Sequence, residues 1–495
     1  MPVSSAARGR RRVALLNWRD TAHPEGGGSE RYVEQVAEGL ALRGHDVRVL
    51  CAAHDRAARD EVRAGVRYRR RGGRVSVYPR AVLHLLRRRA DVVVDVQNGL
   101  PFFSRLAARC PVVVLVHHVH REQWPMVCGP RVARFGWWLE SRVAPRLYRG
   151  CRYVTVSQAT RRELMSLGVR GSDVEVVHNA TEPPLAVDAV RADRPTLCVV
   201  SRLVPHKRVD HALVVVERLR HRWPDLRLVV VGHGWAEDDL RRRVAELGLG
   251  DRVELLGWVD ELTKHRVLAG SWVHLCPSLK EGWGRAVMEA ATHGVPTVAY
   301  ASASGVTETV LAGTTGLLAD DLDGFTAQVE RLLADRELRD RMGGAARAYA
   351  ASFTWEDAVG AFAELIERTE RTGRRGRRDR GGSAVAVLVQ RLLHRRGVVG
   401  GLLTGHDDPH RGADGERDAD DGRDDDGHEG RHAVAPQSGL TGTLPAGSSP
   451  RERRRAVIAT PAAAAASSAS AAASASSTAA AGAESGAAAG SPGSR

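Results

Sequence analysis

The chain has 495 residues, of which 43% are hydrophobic, and a formal net charge of +14. Its length predicts two or three domains, and its apolar content supports a large core in at least part of it. No stretch reaches the ~18 apolar residues of a membrane span, and the apolar run at 13–16 is too short for a secretory leader. The six cysteines (Cys51, Cys110, Cys128, Cys151, Cys198, Cys276) form no CxxC pair, which removes the usual zinc and thiol-redox motifs and fits buried thiols in a reducing compartment. A soluble, cytoplasmic protein is expected, with peripheral contact at the inner face of an anionic membrane left open. The excess of cations fits a nucleic acid, a membrane surface or a phosphorylated small molecule, and fits equally an arginine-rich composition with no partner behind it.

Residues 1–11 read as a flexible arm, and residues 12–182 as a first α/β domain. RVALLNW (12–18) is a short apolar strand. SERYVEQVAEGLALRG (29–44) is a helix, with Ser29 placed to cap it and Gly44 to end it, and HDVRVLCA (45–52) is the next strand. ADVVVDVQ, CPVVVLVHH and CRYVTVSQ are continuous apolar runs of the kind that fill central parallel strands. Among them VRYRRRGGRVSVYPRAVLHLLRRR (66–89) is strongly basic with interleaved Val, Leu and Tyr. That suits an anionic membrane surface or an anionic acceptor, and suits equally an exposed arginine-rich face. No nucleic-acid-binding signature accompanies it, and no nucleic-acid partner is expected.

A Pro-rich break at 183–195 separates this domain from a second, 196–371, in which the pattern restarts. TLCVVSRL, LRLVVVGHG, RVELLGWV, SWVHLCPS and VPTVAYAS are strands. RVDHALVVVERLRHRWP, WAEDDLRRRVAELGL and GRAVMEAATHG are helices, and FTWEDAVGAFAELIERT (353–369) closes the domain, free to pack back on the first one. From 372 to 495 the composition turns to Gly/Arg, acidic and Ala/Ser runs, which predicts a mostly disordered tail whose acidic clusters are solvated charge rather than a metal site.

The chemistry-bearing residues gather after strands of the second domain. Arg202 and Lys207 follow TLCVV, in a loop that opens a helix; two cations at the carboxyl end of a parallel strand suit a diphosphate. Gly232 and Gly234 follow the next strand and allow close approach of a ligand. In SLKEGWGRAVMEAA, Gly282 and Gly284 flank Trp283 and place backbone amides at a helix start, with Glu281 before it and Glu289 inside it. Carboxylates accept hydrogen bonds from hydroxyls, so these two could hold sugar hydroxyls on both sides of a diphosphate.

SRLVPHK, SLKEGWGRAVMEAATHGVPTVAY and GVTETVLAGTTGLLADD together, in this order, resemble retaining glycosyltransferases of family 4, with their G-R-L-x-x-x-K loop and E-x7-E motif. The resemblance covers about residues 12–370. It implies a GT-B fold: two Rossmann-like, doubly wound parallel-sheet domains facing a central cleft. It implies that Arg202 and Lys207 bind the donor diphosphate, that Glu281 contacts the transferred sugar and Glu289 the ribose, and that Gly282, Trp283 and Gly284 place backbone amides near the donor; Gly232, from its place after a strand, is counted with the donor-binding residues. PEGGGSER resembles the family's N-terminal glycine loop, placing Gly26, Gly27 and Gly28 near the donor phosphate and acceptor. His117 matches its histidine at a strand end, with His118 and His120 as alternates. The sequence departs from the pattern at Ser201, at Arg208 and in SASGVTETV, where Gly305 and Glu308 remain.

The implied activity is transfer of a hexose from a UDP- or GDP-linked donor to a hydroxyl of a glycan, lipid-linked or small-molecule acceptor. Its catalytic set is His117, Glu281, Arg202 and Lys207. No cofactor and no metal are expected, since no DxD-type motif lies in a credible loop. The alternative on the same fold is a non-catalytic nucleotide- or membrane-binding protein. A dinucleotide fingerprint at GGGSERYV fails because RDTAHPE intervenes after the strand and VRVLCAA ends without an acid. A zinc site at His117 and His118 is disfavoured because adjacent strand residues point to opposite faces.

Overall fold

A computed structural model describes residues 9–378; residues 1–8 of the predicted arm and the predicted tail beyond 378 lie outside the described residues. The first lobe carries β1 (Arg12–Leu16), α1 (Gly28–Leu42), β2 (Asp46–Cys51), β3 (Asp60–Arg63), β4 (Val66–Arg70), α2 (Val77–Arg87), β5 (Val92–Val96), β6 (Val112–Val116), α3 (Trp124–Val127), α4 (Pro130–Trp138), α5 (Ala144–Leu147), β7 (Arg152–Thr155), α6 (Gln158–Ser166) and β8 (Val174–Val176). The second carries β9 (Thr196–Val200), α7 (Val209–Leu219), β10 (Arg227–Val231), α8 (Glu237–Glu246), β11 (Val253–Gly257), α9 (Glu261–Gly270), β12 (Val273–Cys276), α10 (Arg285–Thr292), β13 (Thr297–Tyr300), β14 (Gly316–Ala319), α11 (Leu322–Ala334), α12 (Arg336–Ala351) and α13 (Trp355–Arg378).

The valine-rich runs form the centres of two sheets, because a strand covered on both faces excludes polar side chains. The first sheet has order β3-β4-β2-β1-β5-β6-β7-β8 and is parallel except for the antiparallel edge strand β3; the second, β11-β10-β9-β12-β13-β14, is parallel throughout. In each, strand order reverses beside the first strand, between β1 and β5 and between β9 and β12. A doubly wound sheet opens a crevice at that point, at the carboxyl ends of its strands. The two crevices face each other.

Three local readings change. Helix α1 begins at Gly28 with Gly27 as its cap residue, not at Ser29: the Glu30 carboxylate accepts from the Gly27 N–H at 2.8 Å and Ser29 Oγ donates to the same carboxylate at 2.9 Å. Gly44, with φ +88, ends the helix. The basic stretch at 66–89 is not one exposed face. It folds as β4 and α2, with Arg70 fully buried against Asp20 and Glu61, and Arg67, Arg69 and Arg71 paired with Asp46 or Asp60. The closing helix runs on to Arg378, so residues 372–378, assigned to the disordered tail, are helical.

That closing helix packs on the first lobe. Phe362, Leu365 and Ile366 of α13 share a core cluster with Tyr32, Val36 and Leu40 of α1, and the same cluster takes in Trp283, Met288 and Ala291 from the second lobe. The helices meet at Gly39, where a Cβ would stand 2.5 Å from a Val359 methyl. Gly39→Leu should therefore destabilise the protein by about 1–3 kcal/mol in urea unfolding. Gly360→Ala, on α13 beside Val359, where an added Cβ meets nothing nearer than the flexible Arg43 guanidinium at 3.9 Å, should be neutral or stabilising by up to about 1 kcal/mol. Equal effects of the two would contradict this packing.

Candidate active site

The cleft between the lobes has a volume of about 660 Å³, and its walls draw on both crevices. From the first lobe come Arg19, the glycines 26–28, Glu30, His117 and His118; from the second come Arg202, Lys207, Lys264 and the segment 280–289. The loops follow β1, β6, β9 and β12, the strands nearest the two switch points.

Residues 280–284 join the lobes. Lys280 Nζ reaches Glu122 Oε2 at 3.0 Å and Glu163 Oε1 at 2.8 Å, both on the first lobe. Glu281 turns the other way, to Lys207 Nζ at 2.5 Å and Ser278 Oγ at 2.7 Å. Gly282 lies against the first lobe so closely that a Cβ would stand 2.5 Å from the His117 carbonyl oxygen. Trp283 is 2% exposed and meets Phe353 edge-on, so it offers the cleft wall and backbone rather than a free ring. Gly284, with φ +99, caps α10 in the left-handed region. Gly305 supports this turn from behind, where any side chain would strike the Gly282 carbonyl at 2.1 Å. Glu308, further along that loop, accepts from the N–H groups of Gln158 and Ala159 at 2.9 and 2.8 Å, and so caps α6 of the first lobe.

The acids are held ionised. Burial opposes the charge on Glu281, but Lys207 and the Ser278 hydroxyl outweigh it and keep its carboxyl below the ordinary range. Burial likewise opposes the charge on Glu289, yet Arg285 at 2.8 Å and Lys264 at 3.2 Å hold it down to about 2. Glu30 is buried and still depressed because Arg19 pairs with it at 2.9 Å. Among the described residues, Arg202 is the one arginine or lysine of the cleft wall without an ion pair. It opens onto the cleft while protein surrounds it, so burial and then Arg19 lower its pKa, with Glu30 and Glu281 opposing. An uncompensated guanidinium in a concave site is a seat for an anion.

Desolvation lowers His117 to about 4, which leaves it neutral near pH 7, and its Nε2 has no hydrogen-bond partner within the protein. His118 also lines the cleft, since β6 ends at Val116 and strand alternation no longer separates the two rings. His120 turns away to Glu140, at 3.0 Å. Among the described residues no group of three or more His, Cys, Asp or Glu is arranged to hold a metal ion.

Gly27, Gly28, Arg202, Lys207, Glu281, Gly282, Trp283, Gly284, Glu289 and His117 thus share one cleft. Gly232 does not line that wall. A Cβ there would stand 1.8 Å from the Ser201 carbonyl oxygen, and one on Gly234 2.2 Å from that of Leu203. At both positions the backbone of the loop that carries Arg202 leaves no room for a side chain. Sequence reading missed Lys280, its partners Glu122 and Glu163, the Glu289 partners Arg285 and Lys264, and the capping role of Glu308. Of these, only the i,i+4 spacing of Arg285 and Glu289 on the predicted helix was a local signal.

Two doubly wound lobes facing a cleft define the GT-B class. Residues 26–183 match the family model described as Glycosyltransferase Family 4, and residues 186–349 match that described as Glycosyl transferases group 1. The chain belongs to the family-4-like glycosyltransferases. A GDP-mannose-dependent alpha-(1-6)-phosphatidylinositol monomannoside mannosyltransferase of Mycolicibacterium smegmatis is 36% identical over 184 residues, 35% of this chain and 48% of that protein. An alpha-D-kanosaminyltransferase of Streptomyces kanamyceticus is 34% identical over 153 residues, 30% of this chain and 39% of that protein. The chain spans about half the length of the curated relatives it matches. A sucrose-phosphate synthase of Thermosynechococcus elongatus superposes with TM-score 0.63 at 20% identity, covering 72% of this chain and 99% of that one. The Anabaena HepE protein in complex with UDP-glucose superposes with TM-score 0.58 at 19% identity, covering 72% and 100%. These likenesses establish the fold.

The depressed carboxyl of Glu289 makes a stability prediction. A folded value of about 2 against an ordinary 4.5 means its contribution is complete above pH 4.5 and is lost as pH falls toward 2. Glu289→Gln should flatten the dependence of unfolding free energy on pH in that window, measured by urea titration. An unchanged slope would show that the carboxylate is not held by Arg285 and Lys264.

Proposed function

We propose that the protein is a retaining glycosyltransferase. It moves a hexose from a UDP- or GDP-linked donor to a hydroxyl of a glycan, lipid-linked or small-molecule acceptor. The observation that carries this reading is Arg202, without an ion pair on the cleft wall that also holds the Lys207–Glu281 pair. Its relatives' names favour a GDP-mannose-type donor and a lipid-linked acceptor.

The donor diphosphate lies between Arg202 and Lys207 at the N-terminal end of α10, where two cations and a helix terminus stabilise its charge. Lys207 then exchanges part of its interaction with Glu281 for phosphate, which frees the Glu281 carboxylate to take a sugar hydroxyl. Glu289, fixed by Arg285 and Lys264, accepts from the ribose hydroxyls. His117, neutral and with a free Nε2, hydrogen-bonds the sugar beside the acceptor. The acceptor oxygen attacks the anomeric carbon on the face from which the diphosphate leaves. The glycosidic C–O bond forms as the C–O bond to phosphate breaks, and the acceptor proton passes to the departing phosphate oxygen. Configuration is retained without an enzymic nucleophile. Arg202 and Lys207 supply the charge neutralisation, with no metal or other cofactor required.

Arg202→Ala and Lys207→Ala should each lower kcat by about 10²–10³-fold with the fold intact. Glu281→Ala should abolish transfer. Proton NMR of the product should show the donor's anomeric configuration preserved. Unchanged turnover in the Lys207 and Glu281 variants, or an inverted anomer, would overturn the proposal.

A further inference from the structure

Among the described residues, the densest run of exposed apolar side chains along the chain falls on α3 and α4. Met126, Val127, Val132, Phe135 and Trp138 are all exposed there; Phe135 is 59% and Trp138 51% exposed, and their rings stack at 5.8 Å. Ala133 and Gly136 occupy the inward side of α4, so these rings have no place in the core. Around them Arg121, Arg131, Arg134, Arg142, Arg146 and Arg149 are exposed. Trp138 also borders an open groove with Arg142, Val143, Arg146 and Leu147. The segment 121–150 has two acids. Glu122 is taken by Lys280, and Glu140 is buried against His120 and Trp124. The face is therefore apolar at its centre and cationic around it, with no free carboxylate.

We propose that this face docks on an anionic lipid bilayer. Aromatic rings and arginine stems enter the interfacial layer while guanidinium groups meet anionic headgroups, so one partner answers both the apolar and the charged parts. A second copy of the chain would set six arginines against six, with like-charge repulsion at the seam. The acidic run at 407–426, outside the described residues, has the right charge but no Leu, Ile, Val, Phe or Trp to cover the rings. The segment leaves the carboxyl end of β6 and passes Glu122, the partner of Lys280 beside Glu281. Docking here places the cleft edge at the membrane. It stands apart from the catalytic reading, because binding is measured without turnover.

The test is co-sedimentation of the full chain with vesicles of phosphatidylcholine alone or mixed with phosphatidylglycerol. The chain should bind the mixed vesicles and not the neutral ones, and salt should weaken binding. Phe135→Ser with Trp138→Ser, and Arg131→Glu with Arg134→Glu, should each cut the partition coefficient about tenfold or more. Arg87→Glu with Arg88→Glu, at the end of α2, should leave it unchanged, and thermal melts should confirm that each variant folds. Failure of the unaltered chain to bind, equal binding to neutral vesicles, or unaltered binding by both patch variants overturns the proposal. So does light scattering that shows a lipid-free dimer broken by the Phe135/Trp138 variant, which would assign the face to a second copy.

Discussion

The whole arrangement depends on how closely residues 280–284 approach the first lobe. Gly282 touches the His117 carbonyl at a distance that only a glycine tolerates. On one side of it Lys280 is held by two acids of the first lobe, and on the other Glu281 is held by Lys207 of the second. Adjacent residues of opposite charge thus face opposite lobes. Trp283 fills the shared core immediately afterwards, and Gly284 turns the chain into α10. Each feature of the cleft follows from that turn: the direction of the α10 N-terminus, the position of Glu289 inside it, and the facing of Gly28 toward Arg285.

Among the described residues, charge pairing within the cleft is close to complete, which makes its one exception informative. Burying a carboxylate costs several kcal/mol unless a cation and hydrogen bonds compensate. Glu30, Glu281 and Glu289 each have that compensation, and all three stay ionised. Arg202 has none. A guanidinium with no ion pair in a concave site is available to an anionic ligand. The paired acids, oriented by their partners beforehand, lose little entropy when they accept hydroxyls.

Much of the fold was legible because buried parallel strands must be apolar along their whole length, and the valine runs of β5, β6 and β10 have few other structural uses. The E-x7-E spacing was legible because glycines around a tryptophan mark a turn. Other features were invisible for physical reasons. Lys280 finds Glu122 at a separation of 158 residues, which no local pattern encodes. Gly232 reads the same whether a ligand or a neighbouring backbone excludes its side chain. The arginines of β4 looked like an exposed face because sequence alone does not show that Arg70 is inside, paired with Asp20. The start of α1 moved because a glycine can stand at the cap when a later glutamate supplies the acceptor.

The central claim is that Arg202, in company with Lys207, is the seat of the donor diphosphate. Calorimetric titration of GDP and UDP into the unaltered protein and the Arg202→Glu variant tests it most directly. Saturable binding of at least one nucleotide that disappears in the variant, with the melting temperature of the free protein unchanged, is the predicted result. Equal affinity in the two proteins would contradict it.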